Sequence, residues 1–177
     1  PIICAGVDII AGDEDDVLTG TACDELIIGG LGSDDIAAGG GDDMIIPDPY
    51  VAKRKDAGDD AIDGGDGVDT VDYSQNKFAV KVDLANGVAT SRPKFLGTVG
   101  NDTVVNVENI IGRPEGRDLL VGTDGPNEIL AGGVDPALVV KKGGGDVVYG
   151  LGGDDVLDAG GPEADAIAVR LYGGAGN

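Results

Sequence analysis

The residues with chemistry to offer in this chain are aspartates, and they recur with glycines at a fixed interval. Residues 29–45 read GGLGSDDIAAGGGDDMI, with six glycines, four aspartates and four large apolar residues. Asp34 and Asp43 lie nine residues apart, and so do Ile36 and Ile45. Carboxylates at this density, beside glycines that let backbone carbonyls approach closely, are the donors a hard cation takes. Left without an ion, neighbouring aspartates repel one another. A disordered acidic linker would share this composition. It would not hold a nine-residue phase with an aliphatic residue two places after each acid.

The same unit runs along most of the chain. GGLGSDDIA (29–37) aligns with AGGGDDMII (38–46), and upstream with GTACDELII (20–28) and AGDEDDVLT (11–19). Downstream, KDAGDDAID (55–63) runs into GGDGVDTVD (64–72), and KKGGGDVVY (141–149) into GLGGDDVLD (150–158). The core pattern is G-x-D-x-U, with U a large aliphatic. Strict matches centre on Asp8, Asp34, Asp43, Asp60, Asp69, Asp102, Asp118, Asp146 and Asp155. Asp16, Glu25, Asn127 and Asp165 fill the acid slot in degenerate copies. Each nine-mer divides into a six-residue turn and a three-residue strand whose U side chain points inward. Glycines at the first, second and fourth turn positions supply positive φ and close approach. With a turn after every three strand residues, the spacing predicts neither a helix nor a strand longer than three.

Composition narrows the function classes. Of 33 acidic residues 27 are Asp, against 12 Lys and Arg, and the formal net charge is −21. Asp with 33 glycines points to turns and metal ligands rather than to acidic helices. Such a charge excludes nucleic acid as a partner and disfavours an anionic membrane surface. No run of 18 apolar residues predicts a membrane span. There is no histidine, which removes Ser-His-Asp and Cys-His arrangements and most zinc or copper sites. No catalytic set can be named, and the chain is expected not to be an enzyme. Asn101-Asp102-Thr103 matches a glycosylation sequon, but the repeat accounts better for Asp102.

The nonapeptide G-G-x-G-x-D-x-U-x is the signature of the RTX, or haemolysin-type calcium-binding, family, and this chain resembles that family over most of its length. The middle stretch, from DTVDYS (69–74) through AVKVDLANGVA (79–89) to NVENIIG (106–112), is similar to the segment between repeat blocks in secreted RTX proteins such as serralysin-type C-terminal domains. The resemblance implies an all-β fold: a right-handed parallel β-roll, or β-helix solenoid, with calcium bound in the turns. Two nine-mers then make one coil, so Asp34 stacks on Asp16, and Asp43 on Glu25, at the spacing of neighbouring strands. Expected metal ligands are Asp16, Glu25, Asp34, Asp43, Asp60, Asp69, Asp118, Asp146 and Asp155. The turns at Gly30, Gly32, Gly39, Gly41, Gly65, Gly67, Gly144 and Gly153 complete the sites with carbonyls. Calcium takes six to eight such oxygens, whereas magnesium demands a tighter octahedron. Roughly eight to ten calcium ions would add about +16 to +20 and nearly cancel the net charge. Folding is therefore expected to be coupled to calcium.

Departures from the repeat mark the organisation. A single solenoid over 1–177 is expected, with repeat blocks at about 5–46, 55–73, 112–131 and 142–177. Residues 74–111 form a looser β segment that continues the stack, and 47–54 and 132–141 are loops. Cys4 and Cys23, 19 residues apart, fall on adjacent coils and are a candidate disulfide. The absence of a leader and the GGAGN end suggest a piece of something longer. The reading is a calcium-binding structural module of a secreted protein, folding outside the cell. One alternative is a head-to-tail self-assembling subunit of a filament, S-layer or adhesin. Another is the non-catalytic C-terminal part of a secreted hydrolase or toxin.

Overall fold

The computed structural model describes residues 7–49, 58–76, 78–92, 100–113, 117–131, 146–158 and 170–175. Two β-sheets enclose one core. The first has seven strands in the order β1 (Ile9–Ile10), β3 (Leu26–Ile28), β5 (Met44–Ile46), β7 (Thr70–Asp72), β11 (Asn109–Ile111), β13 (Glu128–Leu130) and β15 (Val156–Asp158). All its pairings are parallel. The second has nine. In spatial order they are β16 (Arg170–Tyr172), β14 (Val147–Tyr149), β12 (Leu119–Val121), β8 (Ala79–Asp83), β9 (Val88–Arg92), β10 (Asn101–Val105), β6 (Ala61–Asp66), β4 (Asp35–Gly40) and β2 (Val17–Thr19). Through the repeat blocks the chain alternates between sheets, so consecutive nine-mers face each other. The protein is an all-β parallel roll.

Register follows the aliphatic position of the repeat. On the seven-stranded sheet Ile9, Ile27, Ile45, Val71, Ile110, Ile129 and Leu157 pair in one continuous file. On the other, Leu18, Ile36, Ile62 and Val104 form one file, and Val82, Leu120, Val148 and Leu171 another. These side chains meet between the sheets, and those away from the ends of the stack are almost wholly buried. A period of two in each short strand leaves the flanking residues outside. A core one aliphatic residue wide per strand is what a nine-residue unit permits.

Three expectations need correction. Asp8 fits the pattern but not the register. Ile9 pairs with Ile27, so the place level with Glu25 belongs to Val7, and Ile10 points out at 67 % exposure. Strands are not all three residues long. β4 and β6 run for six because their turns also stack, with Gly39 opposite Gly65 and Gly40 opposite Asp66. The segment 74–111 does not simply continue the stack. β8 and β9 form an antiparallel hairpin across a 3-10 turn at Leu84–Asn86, closed by Gly87 at φ 65°. β9 lies antiparallel between β8 and β10, which lets β10 join β6 and β8 join β12 in parallel. The cause is local: 79–83 and 88–92 lack turn glycines, and Asn86-Gly87 between them is a hairpin signal.

The register predicts unequal costs for two similar residues. Ile27→Ala should destabilise the calcium-loaded chain by about 2–5 kcal/mol, the range for a buried aliphatic truncation. Ile10→Ala should change stability by less than about 0.5 kcal/mol, as a surface substitution does. Urea midpoints of the two variants measure this, and equal losses would contradict the register of β1.

Candidate metal centre

Most acid-slot carboxylates tie their coil to the one before. The Asp34 Oδ1 accepts the backbone N–H of Asp16 at 2.9 Å, and the Asp60 Oδ1 accepts that of Asp34 at 2.9 Å. Asp102 takes the N–H of Asp60 at 3.3 Å, continuing the file. Beyond the hairpin, Asp118 accepts from Val80 at 2.8 Å and Asp146 from Asp118 at 2.8 Å. On the other sheet Asp43 accepts from Glu25, Asp69 from Asp43, Glu108 from Asp69 and Asp155 from Asn127. Asp34 and Asp43 thus belong to different files, with Asp16 and Glu25 as their respective neighbours.

The separations in these files show how interruptions are absorbed. They are 18 residues at Asp16–Asp34 and Glu25–Asp43, and 26 at Asp34–Asp60 and Asp43–Asp69. The excess, 26 − 18 = 8, is the length of 47–54 and is the same on both sheets. At Asp118–Asp146 and Asn127–Asp155 the separation is 28, and 28 − 18 = 10 is the length of 132–141. Neither interruption shifts the phase. Residues 50–57 and 132–145, including Gly144, lie outside the described residues, as does Asp165.

The second oxygen of each carboxylate divides the predicted ligands into two groups. In Asp34, Asp43, Asp60, Asp69 and Asp155 the Oδ2 is buried and has no hydrogen-bond partner. In Glu25, Asp16 and Asp118 it is engaged. Glu25 curls back so that its carboxylate takes both the N–H and the hydroxyl of Thr21. Asp16 takes the N–H of Gly12 at 3.3 Å, and the Asp118 Oδ2 that of Arg113 at 2.8 Å.

The turns are built around these oxygens. A Cβ at Gly64 would lie 2.6 Å from the Asp69 Oδ2, and one at Gly29 2.8 Å from the Asp34 Oδ2. First-position glycines therefore clear space for the carboxylate, and Gly29 and Gly64 are not among those with positive φ. The second and fourth positions do need it. Gly65, at φ +100°, would place a Cβ 2.1 Å from the Gly39 carbonyl oxygen, and Gly67, at φ +150°, 1.8 Å from that of Gly41. Gly30, Gly32, Gly39, Gly41 and Gly153 stack on the preceding turn in the same way. Bare carboxylate oxygens beside closely stacked carbonyls make a donor set made wholly of hard oxygens, and it fits calcium. Cys23 is buried and carries a disulfide; Cys4, the other cysteine, lies outside the described residues.

Sequence reasoning missed three groups here. Glu108 holds an acid slot from outside any recognisable copy of the repeat. A second file runs at the turn position just before the slot: Ser33 N–H donates to Asp15, Asp42 N–H to Asp24, Val68 N–H to Asp42 and Asn101 N–H to Asp59. The recurring Asp-Asp pairs 42–43 and 59–60 were the available signal, since each serves both files. Asp48, within 47–54, is buried with both oxygens unpartnered.

A stack of parallel strands whose turns line up bare carboxylates and carbonyls defines a cation-binding β-roll. Residues 10–45, 56–75 and 142–161 match the family model of the RTX calcium-binding nonapeptide repeat, in four copies. In these segments the chain carries RTX calcium-binding repeats, and the repeats of that family bind calcium. No curated protein matches the chain. The acid-slot hydrogen bonds between coils recur at Asp102, Glu108 and Asp118, outside the matched segments.

Burial sets the protonation of the ion-free fold. It raises Asp60 and Asp69 to about 6, and Asp102 and Asp118 to about 7, with neighbouring carboxylates adding to the shift. Asp34, Asp43 and Asp146 are raised too, again chiefly by burial. A carboxyl raised in the fold stabilises it below the ordinary value of 3.8, and that contribution is lost as pH rises through the folded value. In chelator, acidifying from about pH 8 to about pH 5 should therefore increase β structure. In saturating calcium, which needs the charged carboxylates, stability should fall over the same range. Far-UV circular dichroism tests both, and a chelated chain that loses β signal on acidification would contradict the first.

Proposed function

We propose that this chain is a calcium-folded structural module of a secreted protein, without catalysis of its own, that acquires its fold on meeting calcium outside the cell. The observation that carries the reading is the set of five buried acid-slot oxygens with no partner. A buried unpaired charge is costly, and here it recurs coil after coil on both sheets. In low calcium the files repel and the chain stays expanded; calcium at the millimolar level typical outside cells closes the turns. Among the described residues no helix is long and apolar enough to cross a membrane.

A second reading, head-to-tail self-association, is favoured by the ends of the stack. Core-file residue Leu171 on end strand β16 is 45 % exposed, and Val17 on end strand β2 is 78 % exposed. Open strand edges with apolar side chains are templates for further pairing. A third is the non-catalytic C-terminal part of a secreted hydrolase or toxin.

The module reading predicts loss of the β signal in excess EDTA and its return on adding calcium, read by circular dichroism. A signal unchanged in EDTA would sink it. Sedimentation in calcium separates the first two readings, since a monomer at micromolar protein counts against self-association.

A further inference from the structure

The insertion that breaks the repeat after β5 carries an aspartate the turns do not account for. The Gly30 N–H donates to the Pro47 carbonyl at 3.0 Å, so the chain still follows the coil below it and brings Asp48 alongside Gly30. A carboxylate thus stands where the repeat has a glycine. Asp48 is 5 % exposed, and neither of its oxygens has a partner. Two acid-slot residues of successive coils face it. Asp60 is 2 % exposed with a bare Oδ2, and Asp102 is 1 % exposed. One oxygen from each of the three lies within 4.8 Å of the other two. The buried Tyr73 hydroxyl donates to the Asp102 Oδ2 at 2.8 Å and orients that carboxylate.

We propose that Asp48, Asp60 and Asp102 form a further calcium site, completed by the carboxylate of Asp48. Oxygens on one calcium ion, each at about 2.4 Å, can lie no more than about 4.8 Å apart, so the three can share an ion. Three carboxylates carry more charge than the single acid and carbonyls of a repeat turn. The bare second oxygens of Asp48 and Asp60 are at hand for a shell of six to eight. Buried, rigid and richer in charge, the site binds more tightly than the turns and fills first. It also clips Asp48, just after β5, to β10, joining positions 48 and 102. The inference rests on the calcium reading above for the identity of the ion and shares Asp60 with it, but Asp48 and Asp102 are donors that reading does not use.

The test counts ions on the full chain. Native mass spectrometry in calcium should show Asp48→Asn binding one ion fewer than the unsubstituted chain, because Asn keeps the volume and removes the charge. Equal counts would overturn this site and leave the turns standing; no bound calcium in the unsubstituted chain would overturn both. Should Asp48→Asn not fold, Tyr73→Phe gives a second measurement with all three carboxylates intact. Terbium replaces calcium and is excited by energy transfer from a nearby tyrosine. The first equivalent should light up strongly in the unsubstituted chain, and Tyr73→Phe should lose most of that emission. Unchanged emission over the first equivalent would overturn the proposal.

Discussion

At Asp34, Asp43, Asp60, Asp69 and Asp155 this roll rests one coil on the one before it through a carboxylate that is only half used. One oxygen accepts a backbone N–H across the coil boundary, in the manner of a strand-to-strand hydrogen bond, and does so without any ion. The other is aimed into a turn where the glycines leave room for nothing larger. Position in the file, turn shape and charge follow from that division. Replacing the acid with an apolar residue would orphan an amide of the previous coil; keeping it places a charge in a low-dielectric turn. A divalent cation satisfies both demands, and few other groups would.

The division also explains the tolerance of the slot. Glu25 occupies it, and its longer side chain folds back to satisfy itself on Thr21. Asn127 occupies it without charge, with its Oδ1 accepting from Thr123 and its Nδ2 donating to the Glu108 carbonyl. Such positions keep the stack in phase while withholding a bare carboxylate oxygen. A roll of this kind can therefore carry silent coils between ion-bearing ones and lose nothing in register.

Much of this was legible in the sequence because the repeat fixes two things at once, an inward aliphatic and an acid two places before it. Ile36 and Ile45, with Asp34 and Asp43, could be assigned to sheets and files from their spacing together with the two-nine-mer coil that the family resemblance implies. Asp8 misled for the same reason: the local pattern is satisfied one residue out of phase, and only the pairing of Ile9 with Ile27 decides between them. Residues 79–92 stand out in the sequence as a looser β segment, but its reversal does not follow from that, although a period of two over five residues and the Asn-Gly turn point to a hairpin. Glu108 and Asp48 left no local mark. Their places depend on which coils become neighbours in space, at separations of 39 residues for Asp69 and Glu108 and across the insertion for Asp48.

The reversed strand β9 has a consequence for how the blocks are joined. In the first block each strand finds its neighbour 18 or 26 residues along, and the coils can close one after another as the chain becomes available. At β10 the partner is β6, with 42 residues between Asp60 and Asp102. Lengthening the loop from 18 to 42 residues adds only about 0.8 kcal/mol of closure entropy. β9 lies between β8 and β10, so in this sheet the first block reaches the last only through the reversed strand. The hairpin is thus a splice in an otherwise regular winding, joining two parallel blocks across one antiparallel strand.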